Sequence, residues 1–258
     1  MIISNSTQSG SRGSDGVRAP CLRSDPDQES KQKKKRRGKR GGGRDKKRRA
    51  GARRKQLKTD RLFKSNVRVL YWNCGSLNVR AATAEKLAYE SDIFCLQETQ
   101  RHVIKPKGFA PPVCNDNGHG QLILVRKELS HKKLDLSRWS SDNLHLVGVE
   151  LKDQPIRNIV NVYACNRSMK TEDWLMLDDM QSTLPGESIF CGDYNPRGLL
   201  WVNEITNPQG EVLEDALDRC NLTCINNGSI TREASRPGDS DSVIDLALTT
   251  LTIAADCR

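Results

Sequence analysis

Between residues 66 and 251 the chain alternates short apolar runs with polar, turn-forming stretches. "VRVLYWN" (Val67–Asn73), "DIFCLQE" (Asp92–Glu98), "GQLILVRKEL", "LHLVGVEL", "IRNIVNVYA", "SIFCGDYN", "LTCIN" and "SVIDLALT" are rich in β-branched and apolar residues. They are long enough for strands and too short for helices. Gly118-His119-Gly120 reads as the turn feeding the third run. In "LHLVGVEL", Leu144, Leu146, Gly148 and Glu150 alternate with His145, Val147 and Val149. Helical spacing occurs in three places. Ala84, Leu87 and Ala88 share one face of a first helix. Trp174, Leu177 and Met180 stripe a second, with Thr171 as the expected N-cap and Glu172 and Asp173 in its first turn. Val212, Leu213, Ala216, Leu217 and Cys220 mark the third. Helices are too few for strict strand–helix alternation, and there is no internal repeat. Paired runs of strands predict an α/β protein built on packed sheets.

The first 65 residues follow no such pattern, and charge separates them from the rest. They hold 22 Lys and Arg against 6 Asp and Glu, whereas residues 66–258 hold 20 against 26. We therefore expect a disordered polybasic tail (1–65) joined to a mildly acidic folded domain (66–258). Its most basic stretch, Lys31–Lys55, suits electrostatic attachment to nucleic acid or a nuclear-import signal, and a solvated linker is the alternative. Nuclear localisation is expected on that cluster alone, the cytoplasm otherwise. A membrane partner would need an apolar face or lipid anchor beside the charge, and neither is seen. "MIIS" is too short for a signal-peptide core, and no run approaches membrane-spanning length. The nine cysteines include no C-x-x-C pair, and Cys95 and Cys191 sit inside apolar runs. That usage predicts a reduced, intracellular protein without disulfides or a zinc site. No obligate protein partner is evident.

Four apolar runs end, or nearly end, in a polar residue that could reach a common edge: Asn73, Glu98, Tyr163, and Asp193 with Asn195. Strand residues i and i+2 share a face, so Asp193 and Asn195 should point the same way if the strand stays extended. Each residue also has a plain structural reading. D-x-N at a strand end is commonly a turn bonded to its own backbone. Glu98 could be a cap or a surface charge, Tyr163 a core residue, and Asn73 before Cys74-Gly75 a turn.

Taken in order and spacing, "YWNCGSL", "IFCLQET", "NVYACN", "FCGDYNPRGLLW" and "SDSVIDLAL" resemble the endonuclease/exonuclease/phosphatase superfamily. Within it the likeness is to the apurinic-like endonuclease domain of non-LTR retrotransposons, and it runs from Val67 to about Leu251. "GEVLEDALDRCNLTCINNGSITR" also looks like that group. The resemblance implies a four-layered α/β sandwich, two mixed sheets face to face with helices outside. It implies a Mg²⁺-dependent (or Mn²⁺-dependent) phosphodiesterase that nicks DNA and leaves a 3′-hydroxyl to prime reverse transcription. Mg²⁺ prefers oxygen ligands and needs only one or two carboxylates. On this reading Glu98 is the metal ligand and Asn73 helps to place it. Asp193 orients or deprotonates the attacking water, and Asn195 holds a phosphate oxygen or that water. Tyr163 donates to the phosphate or helps protonate the leaving group. Thr231, with Ser242, contacts phosphate. The element's RNA is a second possible partner for the basic tail.

The sequence departs from the family in two places. Asp245 matches the aspartate that, in the family, supports a histidine in a later Ser-Asp-His motif. This chain's histidines are His102, His119, His131 and His145, all before Asp193. We therefore expect a C-terminally truncated domain, lacking its last strand or strands and weakly active or inactive. Relatives also carry a histidine soon after D-x-N, where this chain has Pro196-Arg197-Gly198. Arg197 could bind phosphate instead or be an exposed loop charge. Two rival functions stand beside the DNA-nicking one. A relic could bind nucleic acid through the tail without catalysis, and another phosphoesterase of the superfamily would share these residues.

Overall fold

The computed structural model describes the backbone of Ile2–Asn5 and residues 66–116, 119–165, 169–234 and 240–257. The expected tail beyond Asn5, with its stretch Lys31–Lys55, lies outside the described residues, as does Gly118 of the expected turn. Ile2–Asn5 and the body belong to one compact unit.

Eleven strands form two mixed sheets among the described residues. The first sheet takes β1 (Ile2–Asn5), β2 (Arg68–Asn73), β3 (Ile93–Gln97), β4 (Val113–Asn115) and β5 (Gln121–Val125), in the order β1-β2-β3-β5-β4. The second takes β6 (His131–Lys133), β7 (Leu144–Leu151), β8 (Ile156–Ala164), β9 (Glu187–Asp193), β10 (Leu222–Cys224) and β11 (Asp245–Thr250), in the order β10-β11-β9-β8-β7-β6. β1, β2 and β3 run parallel, as do β8 and β9, and the other pairs are antiparallel.

The pleat sorts the core into layers. Val69, Tyr71, Ile93, Cys95 and Ile123 point inward against Val147, Ile159, Ile189, Cys191 and Ala247 of the second sheet. Their neighbours Leu70, Trp72, Phe94 and Leu96 point outward, under Leu77, Ala84 and Ala88 of α1 (Leu77–Ala88). On the far side Val160, Val162, Phe190 and Leu246 lie beneath two helices. α2 (Thr171–Thr183) supplies Trp174, Leu177 and Met180, and α3 (Pro208–Arg219) supplies Leu213, Ala216 and Leu217. Helix, sheet, sheet and helix make the four layers implied by the resemblance. A short α4 (Leu251–Ala254) follows β11. Among the described residues no helix is long and apolar enough to cross a membrane.

Several local expectations change. Lys170, not Thr171, is the N-cap of α2. Its backbone is extended, and its N–H donates to the Asp173 carboxylate at 2.8 Å, so an acid from the first turn does the capping. The last strand begins at Asp245 rather than Ser242, which forms an isolated bridge with Arg232. β4, β6 and β1 carry no strand-length apolar pattern. β1 pairs along the outer edge of β2, from Ile2 beside Arg68 to Asn5 beside Tyr71.

Candidate active site

The second sheet supplies a row. β8 pairs with β9 so that Tyr163 lies beside Asp193, and β9 pairs with β11 so that Asp193 lies beside Asp245. Residues in register share a face, so all three belong to the inner face at one end of the sandwich. Gly192 permits this close pairing. Its φ is +150°, and a Cβ there would stand 1.9 Å from the Val162 carbonyl oxygen.

The first sheet contributes strand ends. β2 closes on Asn73, and Glu98 stands one residue past β3. Glu98, Gln100 and Arg101 all take left-handed backbone angles, +52°, +51° and +62°. Non-glycine residues adopt that region seldom and at a cost, commonly at functional sites. Bonds from Thr99 N to Gly120 O (3.1 Å) and Gln100 N to His119 O (2.7 Å) hold the turn.

Asn73 joins the two sheets at the site. Its amide nitrogen donates to Glu98 Oε1 at 2.8 Å and to Asp193 Oδ2 at 2.7 Å. Its oxygen accepts from Gly75 N at 2.9 Å, which fixes the orientation of the amide. The Tyr163 hydroxyl donates to Glu98 Oε1 at 3.2 Å. Both bonds to Glu98 land on Oε1, and Oε2 takes no part in them.

Asp193 ends β9. Tyr194 then turns into the core and stacks on Trp174 with ring centres 5.5 Å apart, and Asn195 sits at φ +65°. The extended backbone that would align Asp193 with Asn195 is therefore absent. Instead Asp193 Oδ1 accepts from Asn195 N at 3.0 Å, and the Asn195 amide donates to Ala164 O at 2.8 Å. D-x-N is thus a turn bonded to its own backbone, and the expected alignment of Asp193 with Asn195 along an extended strand is not found.

Burial pushes the Asp193 carboxyl well above the usual carboxylate range, and the charges of Asp245 and Glu98 push the same way. The Asn73 and Asn195 bonds oppose the shift. Burial, with Glu98 and Asp193 beside it, also raises the Tyr163 phenol, which therefore stays protonated and acts as a hydrogen-bond donor.

The remaining candidates lie around this centre. The Thr231 hydroxyl accepts from Ile244 N (2.9 Å) and Asp245 N (3.1 Å), so it sets the backbone that delivers Asp245. Ser242 is buried, and its carbonyl accepts from Thr231 N and Arg232 N. The Arg197 guanidinium donates to the hydroxyl and the carbonyl of Ser240, at 2.8 and 3.2 Å.

Three residues at or beneath the site escaped the sequence reading. Asn161, fully buried, donates from β8 across the sandwich to Leu96 O (3.0 Å) and Leu122 O (3.3 Å), and its oxygen accepts from Gln97. Its signal was available: a carboxamide inside the apolar run "IVNVY", two residues before Tyr163. His145 occupies the row position next to Tyr163, and His119 approaches from the first sheet's turn. Both rings meet Tyr163 edge-on, with centres about 6 Å away.

Residues 157–258 match the sequence family described as "Endonuclease-reverse transcriptase". Among solved structures, the endonuclease domain of TRAS1, a telomere-specific non-LTR retrotransposon, superposes with a TM-score of 0.52. It is 18% identical and covers 70% of this chain and 84% of that domain. The chain shares the fold of that domain. A 3′ phosphatase of the same fold, NExo from Neisseria, solved with a product DNA hairpin, gives a TM-score of 0.52 at 17% identity, over 74% of this chain and 89% of that one. The probable RNA-directed DNA polymerase from transposon BS of Drosophila melanogaster is 24% identical over 196 residues, 70% of this chain. The chain spans about a fifth of that relative's length (21%). Among the described residues no three His, Cys, Asp or Glu side chains form a metal cage. A hard cation that keeps its waters needs no such cage.

Proposed function

We propose that this chain is a DNA-nicking endonuclease of the non-LTR retrotransposon type, using Mg²⁺ or Mn²⁺. The observation that carries the reading is the Asn73 amide, bonded at once to Glu98 and Asp193, with Asp193 in register between Tyr163 and Asp245. The donor set suits a hard cation. Burial first, then the charges of Asp245 and Glu98, raise the Asp193 carboxyl, and a cation held by Glu98 would oppose that shift. Such an ion supplies charge neutralisation on a phosphate oxygen and the leaving oxygen.

The chain's own residues do the rest. Asp193, ionised, accepts a proton from the attacking water or orients it. Asn73 holds the Asp193 and Glu98 carboxylates apart at fixed distance. Tyr163, kept protonated, donates to a phosphate oxygen. Asn195 offers its side chain at the same edge, and Thr231 fixes Asp245 from behind. The basic stretch Lys31–Lys55 favours DNA over a lipid or inositol headgroup, and it also suits the element's RNA and nuclear import.

A supercoiled-plasmid assay tests the reading, with Mg²⁺, with a chelator, and with Asp193→Ala. Nicked circles should require both the metal and Asp193, the substitution costing about 10²–10⁴-fold. Nicking indifferent to Asp193, or preference for an inositol phosphate over DNA in a substrate panel, overturns it. The charge surplus of the first 65 residues supports the relic as a second reading. That reading predicts steeply salt-dependent binding that survives Asp193→Ala and vanishes with the tail.

A further inference from the structure

Just past the D-x-N turn, four large apolar side chains stand in solvent within seven residues. Leu199, Leu200, Val202 and Ile205 are 61–66% exposed. A slack loop would fold such side chains under, but this one is pinned. Trp201, between them, is buried, and its indole donates to Pro196 O at 3.3 Å. Leu199 N donates to Thr206 Oγ1 (3.0 Å), and the Asn203 amide donates to Val243 O (2.9 Å). Val202 is held at φ +68°, a left-handed angle that β-branched residues rarely adopt. The fold thus maintains strained backbone while presenting these side chains outward, a combination that marks functional segments.

The segment is continuous with the site. Leu199 is four residues from Asn195, so their Cα atoms lie within about 14 Å. That is roughly four base-pair rises. Arg197, between them, is tied to Ser240. On its other flank, a Cβ on Gly228 would stand 3.3 Å from Val202 Cγ2. Gly228 lies three residues before Thr231, and Ile230 beside it is 42% exposed.

We propose that Leu199, Leu200 and Val202 form a rigid apolar wedge that enters duplex DNA beside the scissile phosphate and unstacks a base step. The inference rests on the reading of the site as DNA-cleaving. Apolar wedges inserted between base steps are an established way to bend a duplex toward a protein surface. A duplex whose phosphate reaches Asn195 must pass within a few base pairs of this ridge. A protein partner is the weaker occupant, because a stable protein interface needs about 800 Å² and 20–30 residues on each side. This ridge offers a handful.

The test uses the full chain and Leu199→Ser/Leu200→Ser on a mixed-sequence duplex, read by permanganate reactivity of unstacked thymines and by nicking. The wild type should raise thymine reactivity within about four base steps of the nick. The double variant should abolish that signal and slow nicking about ten-fold, with an unchanged melting midpoint because the replaced side chains are exposed. Nicking without thymine reactivity, or the same reactivity in both proteins, overturns the wedge and leaves the endonuclease reading intact. If neither protein nicks or unstacks the duplex, both readings fall together. A wild type that sediments as a dimer while the variant is monomeric assigns the ridge to a second copy and overturns the DNA contact.

Discussion

The two sheets build the site by different means. In the second, Tyr163, Asp193 and Asp245 are cross-strand neighbours, so the ladder sets their spacing at about 4.8 Å per strand. In the first, Asn73 closes a strand and Glu98 hangs one residue beyond another, on backbone in the left-handed region. Register governs one half, and a pinned turn governs the other. Slipping the second sheet by one residue would send all three side chains to the opposite face. Displacing the first sheet would move Glu98 while leaving Asp193 where it is. The difference teaches that the halves fail separately, and that whatever ties the sheets together at this end sets the geometry of the candidate site as well as stability.

Gly192→Ala should have the largest effect on this contrast. The new methyl would collide with the Val162 carbonyl on the neighbouring strand, next to the Asp193–Tyr163 pair, at a φ that alanine resists. We expect a loss of about 3 kcal/mol in urea unfolding, with nicking lost as well. Wild-type stability in this variant would show that the ladder does not hold the row as tightly as the geometry requires.

Much of this was readable from the chain because the apolar runs are short, β-branched and bounded by turns. The strands that carry Asn73, Tyr163 and Asp193 fall where those runs lie. What stayed hidden has physical causes. "LHLVGVEL" is buried on both faces, so polarity could not say which side met the partner sheet. β4 and β6 are three residues long, stabilised by pairing with β5 and β7 rather than by their own pattern. Asn195 sits in a left-handed turn that a period-two argument cannot represent. Asn161 was passed over because a buried carboxamide gains its meaning only from the distant carbonyls it satisfies, Leu96 and Leu122.

Asn161→Ala separates the halves next. It removes donors from two buried carbonyls and an acceptor from Gln97, the residue before Glu98, and should cost about 2 kcal/mol. Val147→Ala, in the apolar middle of the sandwich, should cost about the same. The two should differ in rate. Asn161→Ala frees Glu98 to move relative to Asp193, and small misplacements of that kind cost up to about 10²-fold. Val147→Ala should leave nicking near wild type. Equal rates for the two variants would mean that the carboxamide ties are structural only.

The smallest effect concerns one proton. In the metal-free chain, carbon NMR should show Asp193 titrating above the ordinary aspartate value of about 3.9, raised by burial first and by Asp245 next. A carboxyl whose folded pKa exceeds its unfolded one favours the fold while protonated. That contribution is present below the unfolded value and fades as pH rises through the folded one. Asp245→Asn removes a like charge from the neighbouring strand, so the Asp193 titration should move down while staying above 3.9. The proposed mechanism needs the ionised form, so on it the acid limb of the nicking profile should move down as well. Mg²⁺ added to the unaltered chain should displace the same signal in the same direction, because a cation near Glu98 opposes the charges that raise it. If Asp245→Asn leaves the titration unmoved, the ladder places the two aspartates side by side without coupling them, and the row is a scaffold for Asp193 rather than a set of interacting charges.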